Sequence, residues 1–178
     1  LALEIMRFIE IRVGAGVYVQ PRHMRDRARA DTIATTEIGP YELLEVRRVI
    51  EGQSASLAAW RATPEQLDRL TANIERMEVA IDDIPAFDTI DAEFHTLIAQ
   101  ASGNPLLEAY VADLWSARRG PLWNRWYDQT RTHENRRRSV QDHRDILSGM
   151  TSRRQDAAQA AMFHHIDILT NRFLDLKL

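Results

Sequence analysis

The sequence contains no cysteine, and this absence limits its chemistry. A chain without thiols forms neither disulfides nor thiolate zinc sites, which fits a reducing compartment. Any metal site must therefore be built from histidine nitrogens and carboxylate oxygens.

The chain also lacks an excess of positive charge and a long apolar run. Its 23 lysines and arginines stand against 26 acidic residues, and the net charge of -3 gives the bulk of the chain no electrostatic footprint for nucleic acid. No stretch approaches the roughly 18 apolar residues of a membrane span, and the N-terminus lacks the order of a signal peptide. We therefore expect a cytoplasmic protein with no membrane partner, in which any contact with DNA is local.

The overall composition is typical of a globular chain. A hydrophobic fraction of 44% with 28% charged residues excludes general disorder. The length of 178 residues suits one full domain plus a short segment. Because the sequence begins with Leu1-Ala2-Leu3 rather than Met, we expect it to represent part of a longer gene product.

A strand pattern is confined to the N-terminal end. Residues 8–19 alternate apolar and polar side chains on either side of Gly14-Ala15-Gly16, which predicts a β-hairpin. Residues 21–40 lack sustained periodicity and are predicted to be a linker.

Apolar residues recur at helical spacing from Tyr41 onward. The predicted helices begin near Tyr41, Pro64, Pro85, Pro105, Thr132 and Arg153. Thr63 is suited to cap the second helix, and Gly120-Pro121 breaks or kinks the fourth. The pattern predicts an all-α antiparallel bundle of six to seven helices, preceded by the short β-hairpin.

Asp91 and His95 are four residues apart on the third predicted helix, so both side chains project from one face and could hold a single ion. Such a pair more often only stabilises its helix. His95, however, shares its side of the helix with Phe94 and Ile98, where an unpaired imidazole would be costly.

Two further histidines are predicted to point inward from the last two helices. His143 lies on the apolar face of its helix, together with Val140 and Ile146. His165, rather than its neighbour His164, lies on the apolar face that carries Met162. A lone inward histidine is more often a hydrogen-bonded core residue than a ligand. Three histidines and a carboxylate on three helices favour a metal site with open positions, suited to zinc, nickel or manganese and also to iron.

Arg47 is the better placed of two neighbouring arginines to face this site and to hold an anionic ligand. The alternative is an intrahelical pair with Glu51 at the surface, and the sequence does not decide between them. The short run Arg136-Arg137-Arg138 is explained more simply as a solvated helix face.

Several ordered motifs resemble the FCD ligand-binding domain of FadR-type regulators in the GntR family. They include Asp91-Ala-Glu-Phe-His95 and Ala161-Met-Phe-His-His165-Ile166, together with residues 45–51, 57–67, 101–107 and 138–147. The resemblance covers the chain from Tyr41 onward. It implies that Asp91, His95, His143 and His165 bind a divalent metal, that Arg47 lies near the carboxylate of the effector, and that the effector is a small organic acid.

Residues 1–19 look like the end of a winged helix-turn-helix domain with its wing. Arg12, Gly14 and Gly16 would then approach DNA at the tip of the hairpin. The predicted domains are a DNA-binding fragment in residues 1–20, a linker in 21–40 and the FCD domain in 41–178.

These features predict a ligand-responsive, DNA-binding transcription regulator that acts as a homodimer on operator DNA. One alternative is a metal-dependent hydrolase, for which Glu93 would be the nearest spare base, although it lies about 160 degrees around the helix from His95. A purely structural bundle, in which the histidines satisfy one another, is the other alternative.

Overall fold

The computed structural model describes residues 9–12, 16–19, 39–118 and 121–175. The chain divides into two units, Leu1–Ile38 and Gly39–Leu178. In the first unit, strands β1 (Ile9–Arg12) and β2 (Gly16–Val19) pair antiparallel, with Ile9 opposite Val19. Gly14 and the predicted linker residues 21–38 lie outside the described residues. Two short strands do not by themselves make a wing, so that assignment stays a prediction.

The described part of the second unit is all-helical, which confirms the predicted fold class. Its helices are α1 (Pro40–Arg61), α2 (Pro64–Val79), α3 (Ile84–Ala101), α4 (Pro105–Ala117), α5 (Pro121–Thr130), α6 (His133–Thr151) and α7 (Gln155–Asp175). The break predicted at Gly120-Pro121 agrees with the start of α5 at Pro121, and Gly120 lies outside the described residues. No helix among the residues described is long and apolar enough to cross a membrane.

Side-chain caps explain where four of these helices begin. Thr63 accepts from the backbone N–H of Gln66, whose side chain accepts in return from the backbone N–H of Thr63, which confirms the predicted cap of α2. The equivalent caps of the other helices are Asp83 for α3, Asn104 for α4 and Thr132 for α6. Local sequence therefore sets the start of α3 and α6, two of the three helices that carry the site.

We expect Thr63→Ala to lower the free energy of unfolding by about 1 kcal/mol, because the substitution removes the reciprocal cap. Urea denaturation measures the change. The control is Thr71→Ala in the same helix, where an exposed hydroxyl donates to the carbonyl of Leu67 and alanine is the better helix former. Equal stability of the two variants would contradict the role of the cap.

The turn between α6 and α7 differs from the sequence prediction. The last helix begins at Gln155 rather than near Arg153, because Arg153 has a φ of 57° and lies in the left-handed region. Its backbone N–H donates to the carbonyl of Met150, and its guanidinium donates to the carbonyl of Ala62 at 2.7 Å. Arg153 thus closes α6 and ties this turn to the end of α1.

Helix α1 packs against α3, α4, α6 and α7, and α6 packs closely along α7. Gly149 permits the close packing of α6 on α7, because a Cβ at this position would lie 2.6 Å from the backbone nitrogen of Ala158. The buried core includes Leu44, Leu70, Phe94, Ile98, Ile146 and Met162. This packing brings the inward faces of α3, α6 and α7 together.

Candidate metal centre

Asp91 and His95 lie one turn apart on α3 and both point into the bundle. Asp91 is 9% exposed and His95 is 1% exposed. Oδ1 of Asp91 and Nε2 of His95 are 3.8 Å apart. The predicted shared face is therefore present, although this distance is too long for a direct hydrogen bond.

His143 from α6 and His165 from α7 complete a cluster with His95. One potential ligand atom from each of the three rings lies within 4.8 Å of the others. Asp91 Oδ1 is also 3.5 Å from His143 Nε2. His164 is exposed, as its position on the helix predicted. The structure thus brings the four predicted residues together, while their role as ligands stays a prediction.

Most ring nitrogens of this cluster lack a hydrogen-bond partner among the described residues. Within the described part of the chain, no ring nitrogen of His143 or His95 forms a hydrogen bond of good geometry, although His95 Nδ1 is in close contact with a carboxylate oxygen of Glu51. An unsatisfied buried polar group costs about 1–3 kcal/mol. Phe94 stacks on the His143 ring at 4.1 Å, so an apolar ring covers that face. A divalent cation between the rings would use these unpaired nitrogens, so the residues present fit a metal.

The environment also keeps two of the rings neutral, which metal binding requires. Burial lowers the pKa of His143 well below its ordinary value, and the neighbouring His165 and His95 lower it further. Burial lowers the pKa of His95 as well, against the opposing effect of Glu51. At neutral pH these two imidazoles therefore have a lone pair available.

Two carboxylates that the sequence did not indicate lie beside the cluster. Glu51 Oε2 contacts His95 Nδ1, and Asp142 Oδ2 lies 3.2 Å from His165 Nδ1. Glu51 was considered only as a partner of Arg47, and no spacing signal pointed to Asp142. Contacts between distant helices are needed to find both.

Arg47 points inward, as predicted, with 1% of its surface exposed. It also pairs with Glu51, to which its Nε donates at 2.6 Å. The alternative of a surface pair was therefore right about the partner and wrong about the location. Burial would raise the pKa of Glu51, but Arg47 and His95 outweigh it and hold that pKa well below its ordinary value.

A small cavity of about 30 Å³ adjoins the cluster. Its lining includes Asp91, His165, Arg118, Tyr127, Arg131 and Arg172. Arg47 does not line it. That Arg47 contributes to effector binding stays a prediction. Its buried Nη1 supports this role, because it has no hydrogen-bond partner among the described residues.

Arg118, at the end of α4, is a site residue that the sequence did not indicate. Its guanidinium lies 3.9 Å from the Trp115 ring and 4.8 Å from the Trp123 ring, and its Nη1 is 3.5 Å from Asp91 Oδ2. Burial and the nearby charge of Arg47 lower the pKa of Arg118. Neither Arg118 Nη1 nor Arg172 Nη2 has a hydrogen-bond partner in the described segments, so both could receive an anion.

Glu93 and the arginine run lie away from the site. Glu93 forms a surface ion pair with Arg76 at 2.9 Å, which confirms that it points away from His95. Arg137 and Arg138 are exposed, as predicted. The prediction was wrong for Arg136, which is buried because its guanidinium donates to the backbone carbonyls of Ile81 and Arg131 at 2.6 Å each.

Comparison with known proteins places this bundle in a family. The sequence model of the FCD domain family matches residues 42–168 of this chain. The Uxu operon transcriptional regulator of Escherichia coli (strain K12) is 28% identical over 98% of this chain and 70% of that protein. The Exu regulon transcriptional regulator of the same strain is 31% identical over 94% of this chain and 64% of that protein.

A solved structure supports the fold. The Streptococcus agalactiae GntR structure aligns over 96% of this chain and 77% of that chain, with a TM-score of 0.62 and 22% identity. The two sequence relatives are named as transcriptional regulators, which confirms the prediction of a regulator rather than a hydrolase. The chain belongs to the FCD domain family of GntR-type transcription regulators.

Proposed function

We propose that this domain is a sensor that binds a divalent metal through Asp91, His95, His143 and His165 and a small organic acid beside it. The observation that carries the proposal is the convergence of three buried histidines whose nitrogens are largely unpaired. Zinc, nickel and manganese suit this set of nitrogen and oxygen ligands. The metal, when bound, would act as a Lewis acid toward oxygen atoms of the effector.

The cavity next to the cluster supports an acidic effector. Arg118 and Arg172 line it, and each has a guanidinium nitrogen without a hydrogen-bond partner among the described residues. Arginine binds carboxylates through paired, charge-assisted hydrogen bonds. A hydroxy acid could use its carboxylate toward these arginines and its other oxygens toward the metal, with Arg47 as a further candidate contact.

The size of the cavity suggests how binding becomes a signal. A volume of about 30 Å³ holds about two water molecules. An organic acid must therefore displace side chains contributed by several helices, and it binds the rearranged state better than the present one. This difference in affinity is what a ligand needs to shift a conformational equilibrium.

In the cell, this shift would alter operator binding by a cytoplasmic homodimer. Arg12, Gly14 and Gly16 are the proposed DNA contacts of the wing. The full-length regulator, tested by mobility shift with and without the acid, should change its operator affinity. An unchanged affinity would contradict the sensing role.

Metal analysis tests the first part of the proposal. The chain purified without chelator should carry close to one equivalent of a divalent metal by plasma mass spectrometry. Absence of metal, combined with no binding of added zinc, nickel or manganese by calorimetry, would contradict the metal site.

For the second part, we expect Arg118→Met to weaken binding of the acid at least tenfold, because a charge-assisted hydrogen bond is worth about 1.5–3 kcal/mol. Malate, citrate and gluconate serve as probes in calorimetric titrations of metal-loaded protein. Arg125→Met is the matched control, since Arg125 is exposed on α5. Wild-type affinity in Arg118→Met, or no binding of any probe to the wild type, would contradict this role.

A further inference from the structure

Two of the three histidines have a carboxylate next to their Nδ1 nitrogen. In His95, Nε2 is the nitrogen closest to Asp91, and Nδ1 contacts Glu51. In His165, Nδ1 lies 3.2 Å from Asp142 Oδ2, and this residue belongs to the cluster of potential ligand atoms. Both pairs place a carboxylate next to Nδ1 from another helix: α1 supplies Glu51 to His95 on α3, and α6 supplies Asp142 to His165 on α7.

His143 provides an internal contrast. Neither of its ring nitrogens has a hydrogen-bond partner among the residues described, and the Phe94 ring covers one face of the imidazole. The acidic group near His143 is Asp91, whose Oδ1 lies 3.5 Å from Nε2. Packing rather than a carboxylate at Nδ1 therefore orients His143, whereas His95 and His165 each have a carboxylate at Nδ1.

A carboxylate decides which nitrogen of a neutral imidazole carries the proton. An ionised carboxylate only accepts hydrogen bonds, so the nitrogen beside it becomes the N–H donor and the other nitrogen keeps its lone pair. Acidic partners of this kind orient metal-binding histidines and increase their basicity.

Glu51 is itself held in place. Arg47 Nε donates to its Oε1 at 2.6 Å, and Trp115 Nε1 donates to the same oxygen at 3.2 Å. The remaining oxygen, Oε2, is the one that contacts His95. Glu51 lies on α1, so a helix that supplies none of the four proposed ligands still reaches the centre.

We propose that Glu51 and Asp142 are positioning residues that fix the Nδ1–H tautomers of His95 and His165, so that Nε2 of both rings binds the metal. This inference rests on the proposed metal site. It assigns Asp142 and His143, adjacent on α6, to different tasks: Asp142 orients His165, and His143 binds the ion directly.

Nuclear magnetic resonance of metal-free, ¹⁵N-histidine-labelled protein reads the tautomers without any metal. His95 and His165 should be in the Nδ1–H form in the wild type. Glu51→Gln should change the signals of His95 alone, and Asp142→Ala those of His165 alone. Mixed tautomers for both rings in the wild type would overturn the inference.

Zinc titration provides the second measurement. Each variant should bind zinc about 10–100-fold more weakly than the wild type, the usual effect of losing such an acidic partner. Glu93→Gln is the matched control, because it removes an exposed carboxylate from α3 and should leave the zinc affinity unchanged.

The two proposals fail differently. A wild type that binds no zinc contradicts the metal site, while the tautomer measurement still tests the acidic partners. Wild-type zinc affinity in folded Glu51→Gln and Asp142→Ala contradicts the positioning role. Because Glu51→Gln leaves the buried Arg47 without its anion, Asp142→Ala carries the test alone if the Glu51 variant does not fold, as judged by circular dichroism.

Discussion

Zinc should stabilise the wild-type domain by about 2.7 kcal/mol when free zinc exceeds its dissociation constant a hundredfold, and His165→Ala should lose most of this gain. An ion that binds only the folded chain adds its binding free energy to that of folding. The proposed ligands come from α3, α6 and α7, so the unfolded chain has no preformed site. His165 is 2% exposed and belongs to the cluster.

His164→Ala is the matched control for this experiment. It removes the same side chain one position earlier, where the residue is exposed. The quantity to compare is the increase in unfolding free energy on adding zinc, measured by chemical denaturation, because His165→Ala also leaves a cavity that lowers the stability of the metal-free protein. Equal increments in the two variants would show that His165 is not a ligand.

Gly149→Ala should destabilise the domain by about 1–3 kcal/mol, the usual cost of overpacking. A Cβ at this position would lie 2.6 Å from the Ala158 nitrogen and 2.7 Å from its Cα. These are backbone atoms, so α6 and α7 must move apart to admit the methyl group. The better helix propensity of alanine stabilises the folded state by at most about 1 kcal/mol, so the clash has the larger effect on stability.

Gly52→Ala on α1 provides the comparison for Gly149. The added Cβ there would clash with the ring of Phe163, which is a side chain and can rotate away. This rotation would break the contact of the ring with Arg48, whose guanidinium lies 4.0 Å from the ring centre. Both variants gain the same helix propensity, and we expect the smaller loss for Gly52→Ala. Urea denaturation of metal-free protein measures both. A Gly149→Ala variant more stable than the wild type would contradict the close packing of α6 on α7.

The helices and the inward histidines were predictable because they depend on local rules. Apolar spacing identified the buried face of each helix, and the capping pattern located the start of α2 at Thr63. The same spacing separated His165 from His164. These signals lie within one turn or a few turns of chain.

The acidic and cationic partners of the site were not predictable in this way. Asp142 meets His165 across two helices, and Arg118 reaches Asp91 from the end of α4. Helical periodicity tells which face is buried, but it does not tell which residue of another helix lies opposite. For Arg136 the sequence prediction was wrong in the opposite direction. The charged run was predicted to face solvent, but the Arg136 guanidinium donates to backbone carbonyls and is buried.

The burial of the three histidines bears on how fast an ion could exchange. None of His95, His143 and His165 is more than 2% exposed, so an ion bound among them could leave only when the helices open locally. We therefore expect metal dissociation to be slow and to follow the rate of that opening. On this basis the metal would be a long-lived resident of the domain, and the concentration of the acid, rather than that of the metal, would be the variable to which the regulator responds.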